Sequence, residues 1–326
     1  MKKYPTLAVI VPAFNVEQYL AECVQSILES DYPSLEVVVV NDGSTDGTPK
    51  IAEMLSAAHE NVRVIHQENA GLSAARNTGI DNTSSELLAF VDSDDLVPPH
   101  AYTKMADTMA KSNSGMVVGA VERFNSSRRW QPWFVEEAHR VEQIGISATQ
   151  FPAILWNVFA WSKLFKRDYF DQIAGRFPVG MLYEDQEISA RMYLSGVPFD
   201  IVPDVVYYWR AREDGTSITQ NKTSLDDLTQ RLEVARSTEE VILDSQNQDV
   251  IEYWYRKLLN EDLWWYFRVV PNTSSLYWQT LREYVLDFVS RAPSSSVMLG
   301  PTKRKDLIAL LLRDKRSAFE KRLKRP

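Results

Sequence analysis

Two short acidic stretches contain the residue types that metal or phosphate chemistry needs. The first, NDGSTDGTPKIAE, runs from Asn41 to Glu53, and the second, DSDD, runs from Asp92 to Asp95. The first stretch has the spacing of an EF-hand calcium loop. An EF-hand needs a helix before that loop, but here the apolar, β-branched run LEVVVV precedes it. The pattern therefore favours a turn from a buried strand into a helix.

Alternating strand and helix patterns predict where these stretches lie. Apolar runs predict strands at 7–14, 35–40, 62–67 and 86–91, and helical patterns follow at about 16–29, 48–58 and 71–80. This alternation predicts a doubly wound, mostly parallel sheet. Ligands of such sheets bind beyond the carboxyl ends of the strands. Residues 12–15, 41–46 and 92–95 are polar stretches that reach that edge.

The three carboxylates within residues 92–95 repel one another, so a cation is expected among them. Hard oxygen ligands suit Mn²⁺ or Mg²⁺, with phosphate oxygens completing the shell. A solvated turn that caps the next helix is the alternative. The repeated polar stretches at neighbouring strand ends favour metal–diphosphate binding. Because no glycine-rich phosphate loop is present, Arg76 is a candidate partner for the phosphates, or else a surface arginine.

Four motifs in sequence order give a family resemblance: VIVPAFNVEQYLAECVQSIL, VVVVNDGSTDGT, NAGLSAARNTGI and LLAFVDSDDLVPP. Together they resemble glycosyltransferase family 2 over about residues 5–220. The resemblance implies an α/β, GT-A fold, which is Rossmann-like with a mostly parallel central sheet and flanking helices. It also implies a UDP-sugar donor and Mn²⁺ or Mg²⁺ as cofactor.

The resemblance further implies roles for single residues. The nucleotide pocket would be lined by Pro12, Ala13 and Asn15, with Asp42 reading the uracil. Arg76 would approach the diphosphate, Asp92 and Ser93 would lie near the ribose and the bound nucleotide sugar, and Asp94 would hold the divalent cation. Ala13 departs mildly from the family, which often has an aromatic or small polar residue there.

Inverting sugar transfer also needs a carboxylate that takes the proton from the acceptor hydroxyl. A helical pattern at about 183–194 begins with the acidic pair Glu184 and Asp185. Acidic residues in a first helical turn also stabilise the helix dipole without any catalysis. The family resemblance implies that Asp185 is the base and Glu184 its neighbour near the acceptor. We expect the helix N-terminus to keep Asp185 ionised at neutral pH.

The stretch VVYYWRAREDGTSIT, residues 205–219, runs from a predicted strand into a polar loop. Similar enzymes close a mobile segment over the diphosphate here, which excludes water. Arg212 or Ser217 would then contact the diphosphate, with an ordinary surface loop as the alternative. Trp156, Trp161 and Trp209 could stack on a sugar ring, although large aromatic side chains more often fill a core.

Charge is unevenly distributed along the chain. The net charge is −8, and residues 303–326 carry ten Lys or Arg against three Asp or Glu, a net of +7, so the rest carries −8 − 7 = −15. An acidic body argues against nucleic-acid binding. Within the irregular segment at about 120–150, an anionic polymer could be engaged by Arg123, Arg128, Arg129, Trp130 and Trp133, or these residues form an exposed hairpin.

We predict two domains, a catalytic domain at 1–225 and a helical region at 226–326 that ends in the basic tail. The aromatic-rich helices of the second domain could bury against the first or form a homo-oligomer. The tail combines its basic residues with the leucine-rich run Leu307–Leu312. That composition suits a peripheral contact with an anionic membrane surface or an acidic polymer, and packing on its own domain is the alternative.

The sequence thus predicts an inverting transferase that moves a sugar from a UDP-sugar to a hydroxyl of a polysaccharide, teichoic acid or lipid-linked glycan. A single cysteine, Cys23, and the lack of an apolar run of about 18 residues suit a cytoplasmic enzyme, with or without peripheral contact at the inner membrane face. A nucleotidyltransferase is one alternative, but it would need a glycine-rich loop near the first strand. A non-catalytic nucleotide-sugar-binding module is another, disfavoured by Asp92, Asp94 and Asp185.

Overall fold

The computed structural model describes residues 4–212, 221–298 and 300–325. The chain divides into two compact units: Met1–Ser147 with Asn157–Glu213, and Ala148–Trp156 with Asp214–Pro326. The predicted boundary at residue 225 falls within the second unit, which also takes up the segment 148–156.

The first unit alternates strands and helices along its amino-terminal half. Its strands are β1 (Leu7–Ala13), β2 (Leu35–Asp42), β3 (Val62–Gln67), β4 (Leu87–Phe90), β5 (Met116–Phe124), β6 (Arg129–Trp130), β7 (Gln143–Ile146), β8 (Lys163–Lys166) and β9 (Phe199–Arg210). Its helices are α1 (Leu20–Leu28), α2 (Thr48–Ala58), α3 (Leu72–Asp81), α4 (Ala101–Ser112), α5 (Trp133–Ala138), α6 (Arg167–Ile173) and α7 (Asp185–Leu194).

One mixed sheet joins the nine strands of the described residues, in the order β3–β2–β1–β4–β8–β5–β9–β7, with β6 paired to β5. The first four strands are parallel, as the alternation predicted. β8 lies antiparallel between β4 and β5, and β9 runs parallel to β5. β1 is buried along its whole length, because apolar residues on both faces of a parallel strand pack under helices.

The predicted helix at 16–29 begins later, at Leu20. Residues 15–17 donate their backbone N–H groups to side chains that follow β2: Asn15 to Ser44 and Glu17 to Asp46 in the loop, and Val16 to Thr48 at the start of α2. Asn15 also has a left-handed backbone, with φ 51°. The segment between β1 and α1 is therefore a loop fixed by its neighbour rather than the first turn of a helix.

The second unit is helical. Its helices are α8 (Leu225–Asp244), α9 (Gln248–Lys257), α10 (Trp264–Val269), α11 (Ser275–Arg291), α12 (Ser294–Met298), α13 (Thr302–Leu312) and α14 (Arg316–Lys324). The aromatic-rich stretch after α8 is not one continuous helix, because a π-helical turn at Leu258–Asp262 separates α9 from α10. No helix in the described ranges has the length and apolar character to cross a bilayer.

The basic tail forms α13 and α14. Leu307, Ile308 and Leu311 of α13 are buried, as is Phe319 of α14. The Phe319 ring lies edge-on to Phe267 of the same unit, with ring centroids 5.6 Å apart. The apolar side of the tail thus packs inside its own unit. This favours packing on its own domain over contact with a membrane surface or an acidic polymer.

A glycine sets how closely α3 approaches β1. A Cβ added at Gly79 would lie 2.4 Å from Cγ2 of the fully buried Ile10. We expect Gly79→Ala to lower the free energy of unfolding by about 1–3 kcal/mol, because overpacking outweighs the gain in helix propensity. Urea unfolding would measure the loss. Thr78→Ala, at the neighbouring half-buried position, is the control and should change stability little; equal stability of the two variants would contradict this packing.

Candidate active site

Two loops at the carboxyl edge of the sheet hold each other in place. Besides the bonds to residues 15–17, the Thr45 N–H donates to Asn15 Oδ1 at 2.8 Å, and the Gly47 N–H donates to Glu17 Oε2 at 2.6 Å. Burial disfavours the charged Asp46 carboxylate, but hydrogen bonds from Thr48 and Glu17 outweigh this and lower its pKa. Two of the side chains that mimic calcium ligands, Ser44 and Asp46, therefore serve to fix the loop after β1.

Asp42, at the end of β2, is buried and receives hydrogen bonds on both carboxylate oxygens. Oδ1 accepts from the Gln67 amide at 2.7 Å and from the Ala70 N–H at 2.9 Å. Oδ2 accepts from the Gly71 N–H at 2.8 Å. Each carboxylate oxygen can accept two hydrogen bonds, so Oδ2 keeps room for one more donor.

The predicted nucleotide-pocket residues lie at the same edge. Pro12 and Ala13 are the last residues of β1 and are buried, whereas Asn15 is exposed. Ser93 is buried in the acidic loop that follows β4. Arg212 lies just after β9, close to this loop, and Ser217 is outside the described residues.

The acidic loop at 92–95 is attached to β9 through its last carboxylate. Asp95 is 1% exposed; its Oδ2 accepts from the Tyr207 hydroxyl at 2.8 Å and its Oδ1 from the Arg210 N–H at 2.7 Å. The same hydroxyl accepts from the Asp92 N–H at 3.0 Å. Burial, together with Asp94 and Asp92, raises the pKa of Asp95 well above its ordinary value. Asp95 therefore shapes the loop, and Asp92 and Asp94 remain available at its surface.

Asp92 and Asp94 each have one arginine partner. Asp92 Oδ1 pairs with Arg76 at 2.9 Å, and Asp94 Oδ2 pairs with Arg212 at 2.6 Å. Burial and the charges of Asp94 and Glu184 raise the pKa of Asp92, although Arg76 opposes the shift. The second oxygen of each carboxylate accepts no hydrogen bond from the described residues.

The carboxylate oxygens of Asp92 and Asp94 are possible ligands of a metal ion. In the described part of the chain, no three His, Cys, Asp or Glu side chains form a group that could hold a metal ion. Mg²⁺ commonly binds through one or two carboxylates plus substrate phosphates rather than through a complete protein cage. Asp94, with Asp92 beside it, fits that second kind of site, in which the phosphates complete the shell.

Arg76 links the acidic loop to α7. The side chain is 1% exposed and contacts Asp92 through Nη2 and Glu184, the N-cap of α7, through Nη1. Burial alone disfavours the charged guanidinium, but Asp92, Glu184 and Asp185 outweigh it and raise its pKa. Arg76 therefore brings together two acidic groups that lie far apart in sequence.

Asp185, the first residue of α7, is half-buried among other charges. Burial and the neighbouring Glu184 raise its pKa to about 7, against the opposing effects of Arg76 and Lys163. The expectation that the helix N-terminus keeps this carboxylate ionised at neutral pH holds only in part, because burial and the like charge of Glu184 raise its pKa. Asp185 sits between its protonated and ionised forms near neutral pH.

A buried lysine and a buried stack of rings were missed by sequence reasoning. Lys163, in β8, donates its ammonium to both oxygens of Asn157, at 3.0 and 2.8 Å, and burial lowers its pKa to about 7. The ring of Tyr207 stacks on Trp161 at 4.2 Å. The sequence signal that could have identified Lys163 was a lysine within an apolar strand. The alternation of VVYYWR placed Tyr207 and Trp209 on one face.

Residues 8–176, more than half of the chain, match the family described as Glycosyl transferase family 2. The chain belongs to this family. Glycosyltransferase GlyA of Streptococcus pneumoniae serotype 4 (strain TIGR4) is 34% identical over 219 residues, a match that covers 65% of this chain and 31% of GlyA. The chain thus spans about a third of the length of that relative.

Two solved structures share the fold. S. aureus TarS 1-349 in complex with UDP-GlcNAc superposes with a TM-score of 0.79 and 21% identity, covering 98% of this chain and 90% of that one. The mannosyltransferase PcManGT from Pyrobaculum calidifontis, in complex with GDP-Man and Mn²⁺, has a TM-score of 0.55 and 18% identity, covering 98% and 85%. The predicted GT-A fold with a helical carboxyl-terminal region is confirmed by the likeness to TarS.

Removal of Arg76 should leave the half-buried Asp92 and the buried Glu184 without a counter-charge. We expect Arg76→Met to lower the free energy of unfolding by about 3–5 kcal/mol at pH 8. The loss should be smaller at pH 5, because burial raises the pKa of Asp92 and a protonated Asp92 needs no cationic partner. Denaturant unfolding of the wild type and the variant at both pH values would measure this.

Arg176→Met is the matched control. Arg176 also joins two carboxylates, Asp81 at 2.5 Å and Asp171 at 2.8 Å, but its side chain is 40% exposed. Its loss should cost less than about 1 kcal/mol, as is usual for surface pairs. Equal losses for the two variants would show that the bridge made by Arg76 has no special role in stability.

Proposed function

We propose that this chain is an inverting glycosyltransferase that moves a sugar from a UDP-sugar to a hydroxyl of a cell-surface polymer: a polysaccharide, teichoic acid or lipid-linked glycan. Membership of family 2 supports the transfer chemistry. The observation that carries the proposal is the bridge through Arg76, because it holds a strand-end acidic loop beside the carboxylates of α7. Direct displacement needs those two groups at one centre.

In this proposal the donor lies over the carboxyl ends of β1, β2 and β4. Asp42 accepts the uracil N–H on the remaining acceptor position of Oδ2, next to Pro12, Ala13 and Asn15. Asp92 and Ser93 contact the ribose. The complex of TarS with UDP-GlcNAc, a protein of the same fold, supports a uridine donor.

The departing diphosphate needs positive charge around it. Arg212 lies beside Asp94, and Asp94 is on the acidic loop that the donor phosphates would cover. Ser217 is the other residue predicted to contact the diphosphate. Arg76 adds a buried positive charge behind Asp92. Mn²⁺ or Mg²⁺ held at Asp94 would act as a Lewis acid on the phosphate oxygens, and the Mn²⁺ complex of PcManGT supports this choice.

Asp185 acts as the general base that takes the proton from the acceptor hydroxyl, and Glu184 contacts the acceptor while it pairs with Arg76. A base with a pKa near the working pH combines a useful ionised fraction with strong proton affinity. The burial of Asp185 provides such a pKa, about 7. We also propose that the enzyme works in the cytoplasm, at or near the inner membrane face.

Asp185→Asn removes the base and keeps the size of the side chain. We expect sugar transfer to fall by about 10²–10⁴-fold, the usual contribution of general base catalysis, with UDP-sugar binding nearly unchanged. In the wild type, kcat/KM should rise about tenfold per pH unit below about 7 and level off above, since only the ionised carboxylate accepts a proton. Steady-state transfer assays between pH 5.5 and 8.5 would measure both effects.

Glu187→Gln is the control for that experiment. Glu187 lies on the same helix and pairs with Arg191 at 3.8 Å, where its side chain is one-third exposed. Its substitution should leave kcat/KM and the pH profile unchanged. Unimpaired turnover by Asp185→Asn, or a flat wild-type profile, would remove Asp185 from the mechanism.

Donor choice can be tested by thermal unfolding with nucleotide sugars, each with and without Mn²⁺. A ligand at a hundred times its Kd stabilises the folded state by about 2.7 kcal/mol. We expect a rise in melting temperature with UDP-sugars that is larger when Mn²⁺ is present. A rise with cytidine or adenosine nucleotides alone would overturn the uridine assignment. Donor hydrolysis with Mn²⁺ would separate an enzyme from a non-catalytic binding module.

A further inference from the structure

Three strands of the first unit align a row of arginine and tryptophan side chains. Arg123 of β5 is paired in register with Trp209 of parallel β9 and with Trp130 of antiparallel β6. Residues in register on neighbouring strands point to the same face of a sheet, with strands about 4.8 Å apart. The row therefore extends across the strands from β9 to β6.

The rings and guanidinium groups of this row alternate. Arg123 lies over the Trp209 ring at 4.2 Å and over the Trp130 ring at 5.6 Å, and Arg128 lies over the Trp130 ring at 4.6 Å. We call Arg128, Trp130, Arg123 and Trp209 the arginine–tryptophan ladder. Trp130, Arg123 and Trp209 are half-buried and Arg128 is exposed, so solvent reaches the ladder.

The ladder arginines keep hydrogen-bond donors for a ligand. A guanidinium that stacks on a ring uses its face, and its N–H groups still point outward in the plane. Within the described residues neither Arg123 nor Arg128 has a carboxylate at ion-pair distance, and the Nε of Arg123 is buried without a hydrogen-bond partner. The ladder is therefore a local positive site on an otherwise acidic body, a favourable place for an anion.

The ladder reaches the candidate active site through the aromatic stack. Trp209 lies two residues along β9 from Tyr207, about 7 Å at the usual rise of a strand. The Tyr207 hydroxyl holds Asp95 and the Asp92 N–H. Trp161 contacts both rings, at 4.2 Å from Tyr207 and 5.5 Å from Trp209. A chain molecule on the ladder would thus end close to the acidic loop.

The other face of the same strands provides a natural comparison. Arg129 neighbours both ladder residues of the hairpin, but its guanidinium lies over Tyr208 at 4.2 Å and 3.7 Å from Glu122. Phe124, its partner in register, is on that face with it. Arg129 thus resembles Arg128 in charge and exposure, but it lies outside the ladder and already has a carboxylate partner.

We propose that the arginine–tryptophan ladder is the binding track for the acceptor polymer, and that this acceptor is a phosphate-bearing chain such as a polyol phosphate. The in-plane N–H groups of Arg123 and Arg128 bind its phosphates as charge-assisted pairs. The faces of Trp130 and Trp209 contact its carbon backbone or sugar substituents. This inference rests on the proposed glycosyltransferase function and specifies the class of its acceptor.

The test uses the full chain saturated with UDP and Mn²⁺, and measures binding of a glycerol phosphate oligomer by isothermal titration calorimetry. We expect Arg128→Ala to weaken binding about threefold to tenfold and to make Kd less dependent on salt, because a phosphate contact is lost. Trp130→Ala should weaken binding without changing the salt dependence. Arg129→Ala is the matched control and should bind like the wild type. Melting temperatures of the free variants check that each one folds.

Several results would overturn the proposal. These are no binding of the oligomer, equal effects of Arg128→Ala and Arg129→Ala, equal affinity for a neutral maltooligosaccharide, or tighter binding of an oligothymidylate with as many phosphates. The thermal shift with UDP-sugars separates the two levels of inference. If the donor stabilises the wild type but the oligomer fails to bind, the ladder assignment is wrong and the transferase proposal stands. If neither the UDP-sugar nor the oligomer binds, both the ladder assignment and the transferase proposal are wrong.

Discussion

The acidic centre of the first unit depends on one buried cation. Arg76 contacts Asp92 of the loop after β4 and Glu184 at the start of α7, and almost none of its surface reaches water. Neither the guanidinium nor the carboxylates would be stable there alone, because desolvating an unpaired charge costs several kcal/mol. The three groups therefore stabilise one another, and they fix α7 relative to the edge of the sheet. Beside this cluster, burial and the neighbouring Glu184 raise the pKa of Asp185, and Arg76 opposes the shift.

The acidic residues of DSDD have two roles: one shapes the loop, and the other two are available to a ligand. Asp95 is buried, tied to Tyr207 and to the backbone of Arg210, and gives the loop its shape. Asp92 and Asp94 each meet one arginine and keep a second oxygen for a further ligand. The loops after β1 and β2 are similarly fixed by mutual hydrogen bonds, so the protein itself organises these loops. Such preorganisation is what electrostatic catalysis requires.

The two basic regions of the chain differ in the state of their charges. In the tail, Arg304 pairs with Glu261 and Arg322 with Asp306, and the apolar side of α13 is buried. In the first unit, the ladder arginines lie on aromatic rings and have no carboxylate partner among the described residues. The sequence suggested both regions as sites for anionic partners. The structure makes the ladder the better candidate for an acceptor site, since Trp209 contacts Trp161, whose ring stacks on the Tyr207 that holds the acidic loop.

The sequence by itself determined the alternation of β1 to β4 with α1 to α3, and the family, because hydrophobic periodicity and turn motifs are local. It also located the acidic residues at the carboxyl edge of the sheet, through the rule for parallel strands. Only the tertiary structure decided which of those residues is buried, that Arg76 joins Asp92 to Glu184, and that Arg123 aligns with Trp130 and Trp209. Strand register and burial arise from contacts between distant segments, and a pKa follows burial and neighbouring charge rather than residue type.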